Sequence, residues 1–178
     1  PSKTFREGLY ADYKAHRPPP PEDLVPQFPL TRRATDAFSV PRIEMEGWEA
    51  DDIIATYACA ARDRGGRVTI VSVDKDLMQL IEPDGSIRML DTLKNRWIGP
   101  DEVMEKFGVT PDKVVDVQAL CGDSIDNVPG VPGIGVKTAA ELINTWGDLE
   151  TLLAHAGEIK QQKRRENLIA HAESARIS

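Results

Sequence analysis

The 178-residue chain is poor in cysteine: Cys59 and Cys121 are its only two, both flanked by apolar residues and neither at a metal-ligand spacing. That excludes a disulfide scaffold and makes a reducing cytosol the expected compartment. Long hydrophobic runs are missing too. The longest, residues 53–61, is far too short to cross a bilayer and is interrupted by Thr56. The residues present hold no basic leader followed by an apolar segment, so no secretion signal is expected. There is no internal repeat, and no low-complexity tract beyond Pro18-Pro19-Pro20-Pro21. What remains is ordinary globular composition, 40% hydrophobic and 29% charged, with length for one full core or a small two-part domain.

An excess of positive charge is also lacking. The net charge of -7 argues at first sight against a nucleic-acid partner. The acids, however, are clustered: residues 44–52 hold Glu44, Glu46, Glu49, Asp51 and Asp52 with no Lys or Arg among them. Lys3, Arg6, Lys14, Arg17, Arg32 and Arg33 lie before that cluster, and Lys160, Lys163, Arg164 and Arg165 near the other end. Net acidity with separate basic patches fits a divalent-metal site flanked by phosphate-binding surfaces.

Hydrophobic periodicity predicts a helix over residues 3–14, with Phe5, Leu9 and Tyr13 four apart, stopped by the prolines. A second amphipathic stretch is expected from about Glu22, and a short strand over 42–45. A helix follows over 48–64, with Ile53, Ile54, Tyr57, Ala58 and Ala61 as its apolar stripe and Gly65-Gly66 as its stop. Residues 67–73 read as a strand buried on both faces, 75–81 as a short helix and 86–90 as another strand. Strand, helix and strand in that order predict a parallel α/β sheet. From Pro100 onward every segment reads as helix, near 100–107, 111–121, 136–146, 148–155 and 157–174.

Three carboxylate groups punctuate this frame: Glu49-x-Asp51-Asp52, Asp74-x-Asp76 and Asp123-x-x-Asp126. The second follows the carboxyl end of a strand, where open α/β sheets place their sites. Each group alone is also explained as helix capping, because Asp at a first turn accepts backbone N–H bonds and suits the helix dipole. If they converge, two carboxylates about 5 Å apart repel by roughly 3 kcal/mol at an effective dielectric of about 20. Converging groups then need a compensating cation or must protonate, and ligands that are all oxygen select a hard ion such as Mg²⁺ or Mn²⁺.

Residues 130–138, Gly-Val-Pro-Gly-Ile-Gly-Val-Lys-Thr, open a helix. They miss the nucleotide-hydrolase phosphate loop, because Lys137 does not directly follow Gly135, and the dinucleotide fingerprint, because Thr138 replaces its third glycine. A glycine-lined interhelical turn remains. It either holds a backbone phosphate on its N–H groups and Lys137 or is simply a tight turn.

Taken together, Tyr13-Lys14-x-x-Arg17-Pro18, Glu49-Ala50-Asp51-Asp52, Asp74-Lys75-Asp76, Gly122-Asp123-Ser124-x-Asp126-Asn127 and Gly130-Val131-Pro132-Gly133-Ile134-Gly135 resemble, in this order, the 5′-nucleases. That family includes the 5′–3′ exonuclease domain of bacterial DNA polymerase I and the flap endonucleases. The resemblance covers residues 3–153 and weakens beyond. It implies a parallel-sheet, PIN-like core with a helical arch, and a helical carboxy-terminal part with a helix–hairpin–helix motif. Residues 1–99 would form the core and arch and 100–178 the DNA-binding part, in one structural unit.

By the same resemblance Glu49, Asp51 and Asp52 serve a first metal site, and Asp74, Asp76, Asp123 and Asp126 a second. Tyr13, Lys14 and Arg17 are the catalytic arch residues that steer a single-stranded 5′ end. Lys3 and Arg6 face scissile-strand phosphates. Gly130, Gly133, Gly135, Lys137 and Thr138 grip duplex backbone, in this family often around a bound K⁺. The implied reaction is two-metal (Mg²⁺ or Mn²⁺) hydrolysis of a DNA phosphodiester to a 5′-phosphate and a 3′-hydroxyl, in replication and repair. The substrate would be a duplex with a free 5′ strand or flap, chosen by shape. The implied context is a bacterial cytoplasm, at the nucleoid, with no membrane and a polymerase domain further along the parent chain. Lys75, between two metal-site acids, should point away or balance charge.

The family pattern also has an amino-terminal strand ending in Asp, and a further Asp shortly before the Lys-Thr-Phe-Arg segment. Both would precede Pro1, so the first metal site is expected to be incomplete and this chain impaired alone. Two other functions compete. A non-catalytic binder of branched DNA would need no acidic clusters, and a PIN-type ribonuclease would have neither the arch nor the glycine hairpin.

Overall fold

The computed structural model describes residues 4–178, so the expectation for Lys3 lies outside the described residues. Its centre is a three-stranded sheet ordered β1 (Val68–Val71), β2 (Ile87–Asp91), β3 (Arg96–Ile98). The β1–β2 pair is parallel, with Val68 opposite Ile87, as the strand–helix–strand pattern implies. β3 adds an antiparallel edge, Met89 opposite Ile98, so the sheet is mixed. β2 alternates cleanly: Ile87, Met89 and Asp91 point inward, Arg88 and Leu90 outward. The buried Asp91 carboxylate is satisfied by the turn to β3, accepting from the N–H groups of Leu93 (2.9 Å) and Lys94 (3.0 Å).

The helix before the sheet is α3 (Ala50–Asp63), near the expected bounds, though Tyr57 of its predicted stripe is exposed and Ala58 is its one buried residue. β1 likewise departs from expectation. Ile70 is buried, but Thr69 and Val71 face outward, Val71 at 61% exposure, because α3 packs on one side only of this edge strand. Residues 42–45 form no strand. Arg42 is drawn to Asp36 and Glu44, and Arg32 also binds Glu44, so ion pairs rather than a backbone ladder hold the segment.

The arch side of the molecule is thinly packed. α1 (Phe5–Leu9) is much shorter than the predicted helix over 3–14, ending at an extended Tyr10. Beyond it, residues 11–16 are turn, with Lys14 at φ +54°. After the prolines come a 3₁₀ turn, Val25–Gln27, and α2 (Phe28–Ala37), which has no buried residue.

The helical expectation from Pro100 onward holds in kind, except that the single helix expected over 157–174 is a 3₁₀ turn, Ala156–Glu158, followed by two short helices that break at His171. α4 (Pro100–Phe107) starts where Glu102 accepts the Gly99 N–H at 2.7 Å. α5 (Val114–Cys121) buries Val114, Val117 and Leu120 completely and packs on α6 (Val136–Trp146), which buries Ala139, Ala140 and Ile143. α7 (Leu149–Ala154), α8 (Gln162–Ala170) and α9 (Ala172–Ile177) complete the part. Together with the inward faces of β2 and β3 these helices make one continuous core. Among the described residues no helix is long and apolar enough to cross a membrane.

Candidate active site

Capping chemistry places most of the acids. Asp74 ends the strand segment and accepts the N–H of Asp76 at 3.0 Å, opening a 3₁₀ helix, Lys75–Leu80. That turn drives Leu77 and Met78 into the core, which leaves Asp76 beside the cleft. Glu49 is the N-cap of α3, and Asp52 accepts its N–H at 2.9 Å. The capping reading and the site reading are therefore compatible, since a capped carboxylate is also a positioned one.

The third group sits on a tight loop after α5. Asp123 and Val128 exchange two backbone hydrogen bonds, 2.9 and 2.7 Å, and the Val131 N–H reaches back to the Leu120 carbonyl at 2.8 Å. Gly122 and Gly130 make the closure possible. Both have positive φ, +67° and +59°, and a Cβ on Gly122 would lie 2.5 Å from the Val128 carbonyl oxygen. The loop also clasps the arch: the Lys14 N–H donates to the Asp126 carbonyl at 2.9 Å, and Asn127 Nδ2 donates to the Asp12 carbonyl at 2.7 Å.

Glu49, Asp51, Asp52, Asp76, Asp123 and Asp126 thus line one cleft of about 360 Å³, together with Arg6, Tyr13 and Gln118. Asp74 is exposed and outside that lining. Four cations tie the acids down. Arg6 grips Asp52 with both arms, 2.8 and 2.7 Å, and stacks over the Phe5 ring. Lys14 binds Glu49 at 2.7 Å and lies 3.6 Å from Asp126, while Tyr13 donates to the same Glu49 oxygen at 3.1 Å. Arg17 pairs with Asp126, and Lys75 with both Asp76 (3.0 Å) and Asp123. Lys75 therefore balances charge rather than pointing away.

The titrating groups record these surroundings. The hydrogen bond from Arg6, foremost among several causes, holds the Asp52 carboxyl below the usual carboxylate range. Burial pushes Asp51 up, and the charges of Asp74 and Glu49 push it further. Burial would raise Asp123, but the Lys75 ammonium and the Ile125 N–H outweigh it and leave it lowered. Burial would lower Lys14, but its bonds to Glu49 and Tyr13 raise it. Of the charges around Asp51, that of Lys14 works the other way.

Among the described residues no three acids, histidines or cysteines are gathered closely enough to hold a metal ion. The acids are instead paired through ammonium groups, Lys75 between Asp76 and Asp123 and Lys14 between Glu49 and Asp126. An ammonium between two carboxylates stands where a cation is wanted. The donor set is all oxygen, so it fits a hard divalent ion in kind.

Sequence reasoning missed Gln118, which donates to Asp76 from the apolar helix α5, and Asn127, which ties the loop to the arch. The signal for Gln118 is an uncharged polar side chain one turn before Gly122 in an otherwise mainly apolar run. The hairpin residues lie apart from the cleft: Gly130 is buried, Gly133, Gly135 and Lys137 are exposed, and Thr138 is half-buried in the first turn of α6. Asn167 of α8 supports the hairpin from behind, donating to the Pro132 carbonyl at 2.7 Å.

An acid-lined cleft at the carboxyl end of a parallel strand pair, closed by a loop from a helical carboxy-terminal part, is the build of an acidic-cleft α/β nuclease. The chain belongs to the 5′–3′ exonuclease family. The family model described as 5′–3′ exonuclease, N-terminal resolvase-like domain, matches residues 1–108, and that of the 5′–3′ exonuclease, C-terminal SAM fold, matches residues 109–178. It is 59% identical to DNA polymerase I of Rhizobium leguminosarum over 177 residues, 99% of this chain and 17% of that protein. It is 42% identical to DNA polymerase I of Bacillus caldotenax over 180 residues, 98% of this chain and 20% of that protein. The chain therefore spans about a fifth of the length of these relatives. Its fold matches bacteriophage T5 flap endonuclease, solved with DNA and metal ions, at TM-score 0.83 and 23% identity, covering 99% of this chain and 68% of that one.

Proposed function

We propose that this chain is the 5′-nuclease part of a bacterial DNA polymerase I, hydrolysing DNA phosphodiesters at 5′ ends or flaps. The observation that carries the reading is the convergence of six carboxylates from three separate sequence groups on one cleft. In this reading Glu49, Asp51 and Asp52 would hold one Mg²⁺ or Mn²⁺, and Asp76, Asp123 and Asp126 the other, directly or through bound waters, with Asp74, outside the cleft lining, serving it only through water. A bound divalent ion supplies an activated water at neutral pH and neutralises charge on the leaving 3′ oxygen.

The chain's own residues do the rest. Arg6 fixes the Asp52 carboxylate so that it cannot rotate away from the cleft. Tyr13, Lys14 and Arg17, on the arch side, offer a phenol and two cations to the phosphates of an entering 5′ strand. The exposed Gly133, Gly135 and Lys137 present N–H groups and a charge to duplex backbone, with K⁺ as a candidate bridging ion. Residues 1–99 would supply the catalytic core and 100–178 the duplex grip, with Asp123 and Asp126 reaching back into the cleft. The intact parent would carry a polymerase domain beyond and act at the nucleoid.

End-labelled 5′-flap duplex, incubated with this chain and Mg²⁺ or Mn²⁺, tests the reading. Cutting near the junction that chelator abolishes supports it. Binding without cutting, in the chain and in its full-length parent alike, favours the non-catalytic binder. Lys137→Ala should weaken duplex binding and reduce the slope of log affinity against log salt by about one. An unchanged slope would make the hairpin a plain interhelical turn.

A further inference from the structure

Lys75 stands between two acids in sequence, and its ammonium joins two acids in space. It donates to Asp76 at 3.0 Å and, across 48 positions of sequence, to Asp123. Its side chain is 29% exposed. Both carboxylates carry a second bond. Asp76 Oδ1 also accepts from Gln118, and the other oxygen of Asp123 accepts the Ile125 N–H at 2.7 Å. Asp76 comes from the 3₁₀ turn after β1 and Asp123 from the loop after α5, and the side-chain link between the two carboxylates is this one ammonium.

We propose that Lys75 is a built-in counter-ion that holds the metal-free acid pair Asp76 and Asp123 together and must swing out before a divalent cation can take their oxygens. It thereby sets the cation affinity of that half of the cleft. This rests on the reading of the cleft as a metal site. Three features support the exchange. Lysine carries a compact charge on a flexible four-carbon stem, so it can leave without moving the backbone. It opens the 3₁₀ turn next to the exposed Asp74, so the freed ammonium has solvent to enter. Arg6 is built the other way, its planar fork locked on both oxygens of Asp52, as suits a residue that stays. Lys75 is then a positioning residue: it preserves the spacing of the acids when no metal is present and competes with the metal for them.

The test is Mn²⁺ binding to the full chain, read from the free-Mn²⁺ electron paramagnetic resonance signal, for wild type, Lys75→Met, Lys75→Gln and Asp76→Asn. The two Lys75 variants should bind Mn²⁺ about tenfold more tightly, or about 1.4 kcal/mol. Their thermal midpoint should fall without metal and rise further than wild type on adding it. Structural damage would move affinity in the opposite direction. Equal or weaker binding in both Lys75 variants, with Asp76→Asn weakened, would overturn the proposal and leave the metal site standing. No Mn²⁺ binding by wild type or by either Lys75 variant would overturn both.

Discussion

In the full-length parent, Asp123→Asn should lower metal-dependent cleavage of a 5′-flap duplex by roughly a hundredfold or more, the size of losing one electrostatic stabiliser of a transition state. Asparagine is the informative replacement. It keeps an oxygen to accept the Ile125 N–H, so the loop from Gly122 to Gly130 retains its shape, and it removes only the negative charge that faces Lys75. Binding of the same duplex in chelator, followed by fluorescence anisotropy, should change little, because in the proposed function the phosphate contacts come from the arch and the hairpin rather than from the acids. Cleavage at the wild-type rate would remove Asp123 from the catalytic machinery. Loss of both binding and cleavage would point instead to a collapsed loop.

Gly122→Ala should unfold the chain far more readily than a methyl group added at most other glycines. The added Cβ would meet the Val128 carbonyl oxygen at 2.5 Å and the Gly130 nitrogen at 2.8 Å, both backbone atoms that cannot rotate aside. Its backbone, φ +67° and ψ -173°, is one that side chains scarcely tolerate. Strain and overpacking together should cost about 3 kcal/mol or more, a large share of the roughly 5–15 kcal/mol that holds a domain folded. Gly133→Ala is the control. It also has positive φ, +80°, but its Cβ would meet nothing closer than the Asn167 amide at 3.7 Å, so only the backbone strain of about 1 kcal/mol applies. Urea unfolding of the two variants should separate them clearly. Similar losses in both would mean that the close approach of Gly122 to Gly130 is not what closes the acid loop.

The helices from Pro100 onward were readable because their apolar spacing, Gly stops and Pro starts agree with one another. The acid groups were readable because each sits at an element end where capping and chemistry ask for the same residue. Other features depend on tertiary partners. β3 is only three residues long and follows a Thr-Leu-Lys-Asn turn without Gly or Pro, so nothing local announces it. The four-residue spacing of Phe5, Leu9 and Tyr13 suggested a helix that the acid loop breaks: Lys14 adopts positive φ where its N–H meets Asp126. The segment 42–45 has a strand's composition but no strand beside it among the described residues. Spacing along the chain also carries no information on which cation meets which acid, as Lys75 and Asp123 illustrate.

α2 buries none of its side chains, whereas α5 and α6 bury four each. Free energy of opening follows that difference, since few buried contacts mean a low local unfolding cost. Residues 28–37 therefore form a unit that can unfold and refold many times within the lifetime of the folded core, its amides exchanging with solvent while those of α5 stay protected. Under the proposed function, a 5′ strand passing this element would need only that local opening, with no unfolding of the sheet or of the acid loop.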